Sequence, residues 1–213
     1  AGAAVSNGTD VVLTRDDGSY RIPVKSGNTL FVIKPAGYKP AVNEDFIPQF
    51  YYHYKPEGSP DHYTYKGVAP TDELPRSVDF GLYRYDEPDD FTAIVFGDPQ
   101  PYTMEDLDHF TRKIVEDVTK SDHTLFGISL GDIVGDNLDL QPVYKERMRQ
   151  LQLPWYNVMG NHDMNYDAPS DDLSDETFEK NFGSANYAFN YGDAHFIVLD
   201  NILYPDPRDG KGY

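Results

Sequence analysis

Hydrophobic and polar positions follow two different rhythms along the chain. Up to about Tyr85 the apolar residues come in short β-branched and aromatic runs. In VVLTRDDGSYRIPVKSGNTLFVIKPAGY those runs are separated by Asp-Asp-Gly-Ser and Ser-Gly-Asn, which read as turns. Tyr20, Ile22 and Val24 alternate with Arg21, Pro23 and Lys25, the period of a strand with one buried face. No helical period occurs here, so the pattern predicts a small all-β sandwich domain over residues 1–85. YDEPDD, Tyr85 to Asp90, then reads as a short acidic link, with residues 86–90 as the linker.

From Phe91 onward the texture changes. FTAIVF (Phe91 to Phe96) predicts a buried strand, and MEDLDHFTRKIVEDVTK puts Leu107, Phe110, Ile114, Val115 and Val118 on one helical stripe. TLFGISL (Thr124 to Leu130) is a second buried strand, followed by a helix around Val143 to Leu151. PWYNVM is a third strand, DETFEKNF a short helix, and AHFIVLD (Ala194 to Asp200) a further strand. Strands that are continuous apolar runs and alternate with helices predict an α/β layered domain over residues 91–213.

Composition narrows the chemistry. The chain has 213 residues, 39% hydrophobic and 14% aromatic, enough for a packed core. No apolar run approaches membrane-spanning length. There are no cysteines, which excludes disulfides, thiolate metal sites and thiol nucleophiles. The formal net charge of −18 opposes binding to nucleic acid or anionic membrane, so neither is an expected partner. A phosphate-bearing substrate would need local positive charge, which bound metal ions can supply.

Three strand ends carry polar clusters where α/β sheets gather ligands, beyond the carboxyl ends of the strands. They are GDPQ with Asp98 and Gln100, GDIVGDN with Asp132 and Asp136, and GNHD with Asn161, His162 and Asp163. Any one of them reads best as a strand-to-helix turn with Asp or Asn as the cap. Three in succession, all rich in oxygen and imidazole donors, fit hard or borderline divalent cations.

Asp-x-Gln, Gly-Asp-x-x-x-Asp and Gly-Asn-His-Asp, in this order on consecutive strands, resemble the calcineurin-like metallophosphoesterases over roughly Phe91 to Asp200. AGAAVSNGTDVVLTRDDGSYRIPV is similar to the transthyretin-like or carboxypeptidase-regulatory-like β-sandwich that precedes the catalytic domain in one bacterial branch of that family. The resemblance implies an α/β/β/α sandwich and hydrolysis of a small phosphomonoester or phosphodiester. Two divalent metal ions (Mn, Fe, Zn or Mg), about 4 Å apart with a bridging hydroxide, would drive the reaction. Asp98 and Gln100 would bind the first metal, Asp132 would bridge both, and Asn161 would bind the second. His162 would stabilise or protonate the leaving oxygen, with Asp163 orienting its ring. The resemblance also implies export to the periplasm or cell envelope, with a leader removed.

The sequence departs from the family pattern in two respects. Gln100 stands where most members have His, which leaves the first metal open. The downstream histidines that end in Gly-His-x-His are missing, and His195, the only His after Asp163, reads as part of a core strand. The sandwich is therefore expected to be shortened, the chain a portion of a longer protein or lacking segments, and one apolar sheet face exposed. A non-catalytic surface or envelope binding module that kept the fold is the competing reading. The Tyr-rich FYYHYKPEGSPDHYTYKG (Phe50 to Gly67) would then be an aromatic platform, although strand packing accounts for it better.

Overall fold

The computed structural model describes residues 2–204, so residues 205–213 of the expected α/β domain lie outside the described residues. Its N-terminal part is all-β: β1 (Ala4–Ser6), β2 (Val11–Leu13), β3 (Thr29–Ile33), β4 (Tyr38–Pro40), β5 (Tyr51–His53) and β6 (Leu82–Arg84). Four of these form an antiparallel sheet in the order β2-β1-β3-β5, and β4 pairs with β6. The alternating stretch from Tyr20 to Val24 is not in a strand. Tyr20 instead stacks on Phe80 and donates its hydroxyl to the Val78 carbonyl at 2.6 Å.

The remainder is mixed α/β. Strands β7 (Thr92–Phe96), β8 (Thr124–Leu130) and β9 (Trp155–Val158) form a parallel sheet in sequence order. Helix α1 (Met104–Phe110) lies between the first two strands, and α2 (Leu140–Met148) between the second and third. Helix α3 (Glu176–Phe182) precedes an antiparallel hairpin, β10 (Tyr187–Tyr191) and β11 (Ala194–Val198). Side chains on the two faces of β8 part company, as a strand requires. Ser129 turns to the helices, where it bonds the Tyr144 hydroxyl at 2.7 Å and the Trp155 indole N–H at 2.8 Å. Gly127 faces the Trp155 ring, which occupies the space a Cβ would need. Phe126 and Ile128 turn to the hairpin. There Phe126 stacks on Tyr191 at 4.6 Å and Tyr156 on Phe189 at 4.0 Å.

Four expectations are corrected. Among the described residues strand β7 pairs with β8 alone and lies at the sheet's edge, and its residues are exposed or half-buried, Val95 by 54%. The helix that starts at Met104 widens into a π turn over Thr111–Val115. One extra residue per turn rotates the stripe, which buries Thr111 and Val115 and leaves Ile114 exposed. The second helix begins three residues earlier than expected. His195 lies on the exposed side of β11, bonded to the Asn190 amide oxygen, and is not a core residue.

The two halves share two apolar cores. Val5, Phe31, Val32 and Phe50 pack with Phe126, Ile128 and Tyr156 of the parallel sheet and with Tyr187 and Phe189 of the hairpin. The acidic link is tied down as well. Glu87 pairs with Lys34 at 2.6 Å and accepts the N–H groups of Gly37 and Gly192 at 3.0 and 2.9 Å. The Tyr-rich stretch is spent on packing: Phe50 and Tyr63 are buried in the two cores. Leu130, Ile197 and Leu199 are exposed among the described residues.

Candidate metal centre

The parallel register brings the three polar turns to one edge of the sheet. Phe96 pairs with Ser129 and Leu130 with Val158, so Asp98, Asp132 and Asn161 each follow within a few residues of aligned positions. Backbone geometry marks the same places. Asp98, Gln100, Asp132 and Asp136 have φ of 44°, 42°, 45° and 64°, a left-handed conformation that costs a side-chain-bearing residue energy. Aspartate and glutamine in this region need a surrounding structure that holds them there, and such strain gathers at functional sites.

That surrounding structure is visible. The Gln100 N–H donates to the Asp132 carbonyl at 2.9 Å, joining the first turn to the second. The His162 N–H donates to Asp132 Oδ1 at 3.1 Å, joining the second to the third. Gly160 lies so close that a Cβ there would collide with the Asp132 amide nitrogen and Oδ1, so the third turn reaches the second only because residue 160 has no side chain. A further bond from the Gly135 N–H to the Pro101 carbonyl at 2.9 Å closes the rim. Thr103 and Asp106 then form a capping box that starts α1 three residues after Gln100.

Asp163 is fully buried and acts as the latch between turns. Its Oδ2 accepts the N–H of Gly160 at 2.9 Å and of Ile133 at 3.0 Å, and its Oδ1 accepts that of Val134 at 3.3 Å. Burial pushes its carboxyl up to about 7, against the pull of those amides. The expected role of Asp163 as the orienter of the His162 ring is therefore corrected, because its oxygens are spent on backbone. The ring is held by Asp136, whose Oδ1 lies 2.7 Å from His162 Nδ1. Tyr102 stands edge-on to the same ring at 6.1 Å. The sequence carried no signal for Tyr102, and Asp136 read equally well as a turn residue.

The donor set fits divalent cations. Among the described residues the side chains of Asp98, Gln100 and Asn161 make no hydrogen bond or ion pair, and Asp132 commits only Oδ1. Four side chains of oxygen-donor type thus have oxygens to spare, on turns fastened to one another through Asp132. A different carboxylate group is the tighter one: oxygens of Asp175, Glu176 and Glu179 lie within 4.8 Å of one another. It already holds a cation, since Lys55 Nζ sits 2.7 Å from Glu176 Oε1 and also pairs with Glu179.

The family model described as calcineurin-like phosphoesterase matches residues 91–210, and the model described as N terminal of calcineurin-like phosphoesterase matches residues 1–69. No curated protein and no solved structure matches the chain.

Proposed function

This chain belongs to the calcineurin-like phosphoesterase family, and from that premise we propose that it hydrolyses a small phosphomonoester or phosphodiester. Two divalent cations would be held by Asp98 and Gln100 on one side and Asn161 on the other, with Asp132 shared. When bound, they supply the Lewis acidity and positive charge that let water attack phosphorus. The observation that carries this reading is the set of uncommitted donor oxygens on strained, mutually bonded turns.

The chain's own groups have separable tasks. Asp132 is fixed through Oδ1 by the His162 N–H, which leaves Oδ2 free for a cation. The Asp136 carboxylate can only accept, so His162 Nδ1 carries the proton in that bond. Nε2 is the ring nitrogen left over, and it gives a proton to the leaving oxygen of the ester when the ring is the doubly protonated imidazolium, returning to the Nδ1–H neutral form. Asp98 and Asp132 together bring two negative charges against four on two divalent ions, so the centre stays positive in a chain of net charge −18. An anionic substrate is drawn to that centre and repelled elsewhere.

The test is hydrolysis of an aryl phosphate with Mn²⁺ by the parent, Asp132→Ala and His162→Ala. The parent is expected to turn over and both variants to fail. Equal rates in all three would refute the assigned roles.

A further inference from the structure

We infer that the segment from Phe50 to Gly67 is a positioning element for the metal-binding turns, acting through α3 and the buried amides of Asn181 and Gln141. This rests on the phosphoesterase reading above. The segment grips α3 along its length. Lys55 pairs with Glu176 and Glu179, and Ser59 donates to Glu176. His53 Nε2 lies 3.3 Å from the Glu179 carbonyl. The Tyr65 carbonyl accepts the Thr177 hydroxyl at 2.9 Å and the Asn165 amide at 2.8 Å. A helix of seven residues has little stability of its own, so these contacts decide where it sits.

The far end of α3 faces the site. Asn181 Nδ2 donates to the Gln141 Oε1 at 3.0 Å and to the Thr177 carbonyl at 3.0 Å. Gln141 is fully buried, and its Nε2 lies 3.5 Å from Asp163 Oδ1. That bond is long, yet Gln141 is the only side chain among the described residues that donates to Asp163. Asp163 in turn accepts the N–H of Ile133 and Val134, next after Asp132, and of Gly160, just before Asn161. A displacement of α3 thus reaches the relative position of two metal ligands through buried groups only. Metal centres feel such outer partners strongly, since orientation of ligands depends on them.

The variants Gln141→Leu, Lys55→Met and Asn181→Leu test this in the full chain. The last leaves the Lys55 ion pairs in place, so the path stays testable if loss of Lys55 prevents folding. Amide hydrogen exchange of the metal-free protein should quicken roughly 10-fold at Ile133, Val134 and Gly160 in each variant. In Gln141→Leu and Asn181→Leu the Val32 amide, bonded to the Phe50 carbonyl, should quicken less than those three. Mn²⁺ affinity, measured by titration, should fall roughly 10-fold. Gln141→Leu combined with Lys55→Met should be no worse than the stronger single variant. Uniform quickening across the chain in Gln141→Leu and Asn181→Leu, or additive losses of Mn²⁺ affinity, would overturn the inference. A parent that binds no Mn²⁺ would instead defeat the phosphoesterase reading, and the exchange pattern would still decide the positioning claim.

Discussion

Two groups of carboxylates invite comparison, one at the strand tips and one at the start of α3. At the tips, Asp98 and Asp132 sit on left-handed backbone with oxygens uncommitted, beside neutral amide donors. At α3, Glu176 and Glu179 are buried, crowded together with Asp175, and both paired with Lys55. Crowding of carboxylates is therefore a poor guide to a metal site, because a lysine can take the cation's place. Strain together with spare donor atoms is the better guide: the fold bears a cost at the tips while the Asp98 carboxylate and Asp132 Oδ2 stay without a hydrogen-bond partner among the described residues. In the proposed reading the first group binds cations, while the second holds the chain together.

The sharpest way to break this contrast is to remove one charge from each group. Asp132→Ala should abolish hydrolysis, a loss of at least about three orders of magnitude, or roughly 4 kcal/mol of barrier, while urea unfolding changes little. Lys55→Met should do the reverse kind of damage. It leaves Glu176 and Glu179 buried without their cation, which costs roughly 3–5 kcal/mol of stability in the same unfolding measurement. If Lys55→Met is as stable as the parent, the α3 group is no ionic clamp.

A pH series sharpens the comparison further. Burial, then the neighbouring Glu179 carboxylate, raises Asp175 from its ordinary 3.8 to about 8, with Glu176 and Asp200 adding and Lys55 opposing. Its Oδ1 is buried without a hydrogen-bond partner. The folded state therefore holds this proton more tightly than the unfolded state does. The stabilisation is fully present below about pH 4 and is lost as pH rises toward 8, by at most roughly 1.4 kcal/mol per pH unit. Asp175→Asn should flatten that slope relative to the parent between pH 6 and 8. An unchanged slope would show that Asp175 is charged throughout.

The smallest effect is expected at the His162 ring. Asp136→Asn keeps a side chain of the same shape beside Nδ1 but removes its charge, and should lower turnover by roughly 10-fold with metal content unchanged. A loss of bound metal in this variant would move Asp136 from ring partner to ligand.

The sequence made the sheet and its polar ends legible, because apolar runs that stop at Gly-Asp or Gly-Asn state their own boundaries. Contacts between distant residues were not legible. Glu87 looks like part of a solvated link until Lys34, Gly37 and Gly192 converge on it. The π turn at Thr111 leaves no mark in an otherwise helical pattern, so Ile114 was placed inside. In Gly-Asn-His-Asp, the resemblance implied Asp163 as the partner of His162. Only the fold shows that the 3-10 turn points Asp163 into the backbone and leaves the ring to Asp136.

The contrast between the two carboxylate groups is tested most directly by a Mn²⁺ titration of the parent, Asp132→Ala and Asp175→Asn, followed by electron paramagnetic resonance. Binding should be lost in Asp132→Ala and match the parent in Asp175→Asn. Retention in the first with loss in the second would put the cation at α3 and contradict the account.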